Sequence, residues 1–165
     1  MALTKLNYTG QGTIPIASIP TITGAKMPTG SVLQTVNAST STSVSTTGSS
    51  YIDTGLTATI TPTSTTSKIL VFVSQTGISK AAGNGGVYLR LLRDTTNIVQ
   101  IGVNNAYTGD AAANRIGGAG TTYLDSPATT SAITYKTQFY AFNGITAFIQ
   151  QDSSKSTITL QEIAG

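Results

Sequence analysis

The chain has 165 residues, a net charge of +3, only 9% charged residues, and neither Cys nor His. That length suits one domain able to bury about 70% of its unfolded surface. The missing residue types exclude a disulfide framework, a thiolate or imidazole metal site, a cysteine nucleophile and the usual histidine base of a serine hydrolase.

Charged residues fall far below the roughly 25% of an average domain, and Ser and Thr, about 30% of the chain, take their place. Thr is a strand former, so the bias favours an all-β fold. The nine cations are scattered. Arg90 and Arg93 are the one close pair, and strand alternation sends them to opposite faces. A nucleic-acid binder clusters its cations and interleaves aromatics, so no nucleic-acid partner is expected. No run approaches the roughly 20 apolar residues of a membrane span, and Met1 to Gly10 lacks the pattern of a secretory leader.

Residues 1–30 read as an extended arm. Ile14, Ile16, Ile19 and Ile22 are interrupted by Pro15, Pro20 and Pro28. Each proline removes a backbone donor and biases its predecessor toward extended geometry. Free termini are commonly disordered, but four isoleucines are too many for a solvated linker. The expectation is an anchoring arm laid on a neighbouring subunit or a larger partner, followed by a sandwich domain over 31–165.

Ser31 to Val36 is the first predicted strand. Asn37 to Ser50, almost pure Ser, Thr, Ala and Gly, reads as a loop or a solvated edge strand. Tyr51 to Thr61 alternates weakly, with a bulge or turn at Asp53-Thr54-Gly55. Ser67 to Ser74 holds the densest apolar run and predicts a central strand buried on both faces. The Gly-rich 81–86 stretch is a turn: it precedes strand-like Val87 to Leu92 and lacks the Gly-Lys-Ser/Thr of a phosphate loop. Asp94 to Asn97 then closes a hairpin onto Ile98 to Val103.

Asn104 to Gly120 is polar and rich in Gly and Ala, and reads as a long exposed loop. Its Asn104, Asn105, Tyr107, Asp110, Asn114 and Arg115 are candidates for contact with a partner or receptor. Four of them carry side-chain oxygens of the kind calcium takes, against which stands plain loop solvation. Thr121 to Asp125 is a short strand. Ser131 to Phe142 alternates, with Ile133, Tyr135, Phe139 and Ala141 on one face and Lys136, Gln138, Tyr140 and Phe142 on the other. Aromatics on both faces mark Tyr140 and Phe142 as a candidate subunit contact. Ile145 to Gln150 and Ser156 to Ile163 complete about eight strands, which suggests an antiparallel β-sandwich of jelly-roll type. The six carboxylates are dispersed, mostly at predicted turns, and form no marked acid pair. No enzyme activity, cofactor or metal is expected.

Five strings, in order, carry a resemblance: Met27 to Gln34, Tyr51 to Leu56, Ser67 to Val71, Tyr88 to Arg93 and Ile158 to Ala164. Together they resemble a domain of virion proteins from tailed bacteriophages, many with marine and cyanobacterial hosts. The resemblance covers about Met27 to Gly165. It implies a β-rich, usually trimeric module, made in the host cytoplasm and carried on the virion surface. It carries over no catalytic residues. Within that class, a short arm and one domain suit a homotrimeric capsid decoration or head-fibre protein on the major capsid protein. The alternative is a tail-fibre-like or receptor-binding appendage on a tail component, touching host surface glycans through the 104–120 stretch. A carbohydrate-active enzyme ranks third.

Overall fold

The computed structural model describes residues 27–81, 83–109 and 113–165, with backbone alone at 115 and 116. The anchoring arm with Ile14, Ile16, Ile19 and Ile22 lies outside the described residues, as does Asp110. Among the described residues ten strands follow in order: β1 Val32–Thr40, β2 Val44–Thr46, β3 Ile52–Ile60, β4 Lys68–Lys80, β5 Gly85–Arg93, β6 Thr96–Thr108, β7 Asn114–Asp125, β8 Ile133–Ala141, β9 Ala147–Ile149 and β10 Ser156–Ile163.

These form two antiparallel sheets packed as a β-sandwich. The first runs β1-β10-β4-β7, with β2 and β9 continuing it beside the far half of β4. The second runs β3-β8-β5-β6. Alternation fixes what lies between them. Ile133, Tyr135, Phe139 and Ala141 of β8 are buried, as the pattern predicts. Leu89 and Leu91 of β5 and Ile158 and Leu160 of β10 join them. The bulge at Asp53 to Gly55 is present as a register shift with Gly55 at φ +83°. The Asp94 hairpin also forms, joining β5 to β6.

The structure corrects two predicted elements. β4 is central within its sheet but not buried on both faces. Val71 and Val73 are buried, whereas Phe72 between them is 38% exposed. An unbroken apolar run fits one-sided or two-sided burial equally, and this sandwich has only two layers to offer. The 104–120 stretch is not a loop. It supplies the end of β6 and most of β7, which pairs along nearly the whole of β4.

Polar groups tie the core together. Thr54, Gln75, Thr137, Gln150 and Ser156 are buried between two hydrophobic clusters. Thr137 Oγ1 donates to Gln75 Oε1 at 2.8 Å and lies 2.6 Å from Thr54 Oγ1, while Gln75 Nε2 donates to Ser156 Oγ at 2.9 Å. With its amide oxygen turned toward Gln75 and Ser156, Gln150 also donates to the carbonyls of Ile149 and Thr54 at 3.3 Å. At one end of the sandwich Arg93 Nη1 donates to both oxygens of buried Asp125 at 3.0 Å, clamping β5 to β7. Tyr135 adds a 2.6 Å bond to the same carboxylate. Burial, then Asp125, pushes the Tyr135 phenol well above its ordinary range.

Glu162 anchors the same end. It is fully buried and accepts from Gln34 Nε2 at 2.6 Å and from Thr63 N and Oγ1 at 2.7 Å. Burial alone would raise its carboxyl; hydrogen bonding holds it below the ordinary 4.5. Ser67 Oγ is outside hydrogen-bond geometry, so Gln34 and Thr63 are the partners positioned to do this. A carboxylate with a lowered folded pKa stabilises above its unfolded pKa, and that contribution disappears as pH falls through the folded value. Urea unfolding is therefore expected to show stability falling from about pH 5 downward, with a shallower fall in Glu162→Gln. An equal fall in both proteins would remove Glu162 from the account.

Candidate binding face

The outward residues of β8 organise the exposed side of the second sheet. Register places Asp53 and Arg90 on either side of Gln138, and Tyr88 beside Tyr140. The predicted pair Tyr140 and Phe142 thus lies in a larger group. Tyr140 stacks on Tyr88 with centroids 4.6 Å apart and takes Tyr51 edge-on at 4.7 Å. Phe142 tilts against Tyr88 at 5.6 Å and is 38% exposed. The result is one continuous row of four rings. Offset and edge-on contacts of this kind stabilise by about 0.5–1.5 kcal/mol each.

A polar ladder continues the row. The Arg90 guanidinium lies 3.7 Å from the Tyr51 ring centroid, a cation–π distance. Its Nε and Nη2 donate to Gln138 Oε1 at 3.1 and 2.6 Å. Gln138 Nε2 donates to Asp53 Oδ1 at 2.7 Å, and Lys136 Nζ donates to Asp53 Oδ2 at 2.9 Å. Burial would raise the Asp53 carboxyl, but Gln138 and Lys136 hold it below its ordinary value. On the other flank Tyr51 Oη donates to Gln100 Oε1 at 3.1 Å, and Gln100 Nε2 is fixed by the carbonyls of Leu89 and Gly102. Burial, then Tyr88 and Tyr51, raises the Tyr140 phenol.

Sequence reasoning put Gln138 on one face with Tyr140 and Phe142 but missed Tyr51, Tyr88 and Arg90 as members of it. The signal was present for two of them. Tyr88 and Arg90 occupy the outward phase of a strand whose inward phase is Val87, Leu89 and Leu91. Arg93, three residues beyond Arg90, does point to the opposite face, as predicted.

The 104–120 candidates disperse. Asn104 and Ala106 adopt φ of +56° and +58°, so β6 is bulged here. Asn105 Nδ2 donates to the Val87 carbonyl at 3.1 Å and Asn114 Nδ2 to the Ala106 carbonyl at 3.3 Å. These two amides satisfy backbone rather than face a partner. Tyr107 is 47% exposed. Arg115 belongs to β7 by its backbone, and its side chain lies outside the described residues.

No family model matches the chain. No curated protein matches it either. Among solved structures the chain is similar to one titled "Structure of infectious bursal disease virus Gt strain", at 12% identity and a TM-score of 0.41. The match covers 82% of this chain and 39% of that one, so this chain spans well under half of its length.

Proposed function

We propose that the chain is a virion structural protein: a non-enzymatic β module fixed to a tailed-phage particle by its N-terminal arm. A capsid decoration or head-fibre protein fits best. The observation that carries the reading is the module's polarity. Gly30 N donates to the Ala164 carbonyl and Ala164 N to the Ser31 carbonyl, each at 2.8 Å, so residues 1–26 join the domain beside its C-terminal end. That is the end of Lys68, Asp125 and Ile163. β7 begins at the other end, where Asn114 pairs with Lys80. β4 has 13 residues, which sets the two ends about 40 Å apart. Such a module has one end to hold by and another to present.

Strand order supports the jelly-roll assignment that belongs to this proposal. β1 pairs with β10, β3 with β8, β4 with β7 and β5 with β6. This is one long antiparallel ribbon, first strand against last, rolled so that β10 meets β4 and β8 meets β5. Jelly rolls serve in viral capsid and lectin domains, and a fold alone does not choose between them. The sequence resemblance favours the virion.

Within this proposal the trimer would use the first sheet, because Tyr140 is already packed between Tyr51 and Tyr88. On that sheet Val32 and Leu124 are each 49% exposed and Phe72 38%. The test is deletion of residues 1–26. The shortened protein is expected to melt as the full chain does and to be lost from particles, read by sedimentation with particles that lack the protein. Undiminished attachment would overturn the proposal.

A further inference from the structure

We propose that the outer face of the second sheet binds a saccharide bearing a carboxylate, with a sugar ring on the Tyr88–Phe142 end of the aromatic row and the acid on Arg90. The geometry fits in two parts. A pyranose presents a face of C–H groups that packs on aromatic carbon, and its hydroxyls pair with fixed polar side chains. The row offers that apolar surface, and Gln138, Asp53 and Gln100 flank it, each held by its neighbours. Tyr88 and Arg90 alternate on one strand with their backbones about 7 Å apart, and the guanidinium reaches on to Tyr51 at the other end of the row, so ring site and acid site are bridged by more than one sugar residue.

Charge selects an acidic sugar over a neutral one. Lys136 is engaged by Asp53, which leaves the face with the charge of Arg90. The Tyr51 ring and Gln138 fix that guanidinium, and among the described residues its Nη1 has no hydrogen-bond partner. A planar, pre-oriented guanidinium matches a carboxylate. A nucleic acid would demand several phosphate contacts, and this face has one cation to give. Gly85 pairs with Thr108 and Val87 with Ala141, so the Tyr88–Phe142 end lies away from Gly30 and Ala164, where residues 1–26 join the domain. The inference uses the anchoring proposal only for which end faces outward; binding itself does not depend on it.

The experiment titrates the full chain with trigalacturonate and, separately, with maltotriose. Aromatic NMR signals and tyrosine fluorescence report binding, the latter readable because the chain has 7 Tyr and no Trp. Trigalacturonate is expected to shift Tyr88, Tyr140 and Phe142 saturably, and to bind about tenfold tighter than maltotriose. Arg90→Gln and Phe142→Ala are each expected to weaken it about tenfold, with circular dichroism unchanged and melting lowered by only a few degrees; Phe142 is partly exposed, so its removal leaves the core intact. The inference is overturned by no shift at about 10 mM ligand, by equal binding of the two sugars, or by parent-like binding in a folded Phe142→Ala variant. It is also overturned if the same signals move on protein concentration alone while light scattering shows assembly, because the face is then a contact between copies.

Discussion

Gln75→Leu is expected to lower unfolding free energy by about 2–3 kcal/mol, although it puts a residue of similar volume into the core. Gln75 bridges the two sheets. It accepts from Thr137 on β8 and donates to Ser156 at the start of β10. Leucine leaves the Thr137 hydroxyl with Thr54 alone and takes a donor from Ser156, in a layer where these side chains are fully buried. A buried polar atom without its partner costs about 1–3 kcal/mol, whereas removing both partners together can be nearly neutral. Thr137→Val alone should therefore destabilise, and the double variant should cost less than the sum of the two. A double-mutant cycle by urea unfolding measures this, with a coupling of about 1 kcal/mol or more expected. Strict additivity would mean that the layer does not act as a unit.

The same layer shows where the sequence was legible. Alternation along β8 places Ile133, Tyr135, Phe139 and Ala141 inward without reference to any other segment, and the structure agrees. Thr137 has the same inward phase. Its role was hidden because Thr is common on exposed strands here and its partners Gln75 and Thr54 lie 62 and 83 residues away. Local pattern sets which way a side chain points; pairing between distant strands sets what it meets. The aromatic row failed for the same reason, since Tyr51, Tyr88 and Tyr140 come from three separate parts of the chain. The Gly- and Ala-rich 104–120 stretch was misread for another. Gly118 and Gly120 signal flexibility by composition, yet a Cβ on either would lie 2.6 or 2.5 Å from the Gln75 or Val73 carbonyl oxygen. They permit β7 to approach β4 closely.

Gly77→Ala is expected to cost about 3–4 kcal/mol, the sum of a left-handed backbone and a steric clash. Gly77 sits at φ +62°, and a Cβ there would come within 2.8–2.9 Å of the Gln150 backbone. This is the corner at which β4 leaves β10 and takes β9 as its neighbour, and its register with β7 shifts at the same place. Gln150 N donates to the Thr76 carbonyl at 3.0 Å, so the two segments are in backbone contact. Backbone cannot rotate away as a side chain can, so the added methyl must push β9 off β4 or leave the corner strained. Gly144 supplies the control: its φ is +69°, and a Cβ there meets nothing within 4 Å. Gly144→Ala carries only the conformational penalty, about 1–2 kcal/mol. Urea unfolding of the two variants separates the terms, and hydrogen exchange should show lost protection at β9 and at Gln150 in Gly77→Ala alone. Equal destabilisation by both substitutions would show that crowding at the corner contributes nothing, and that Gly77 is required for its backbone angle only.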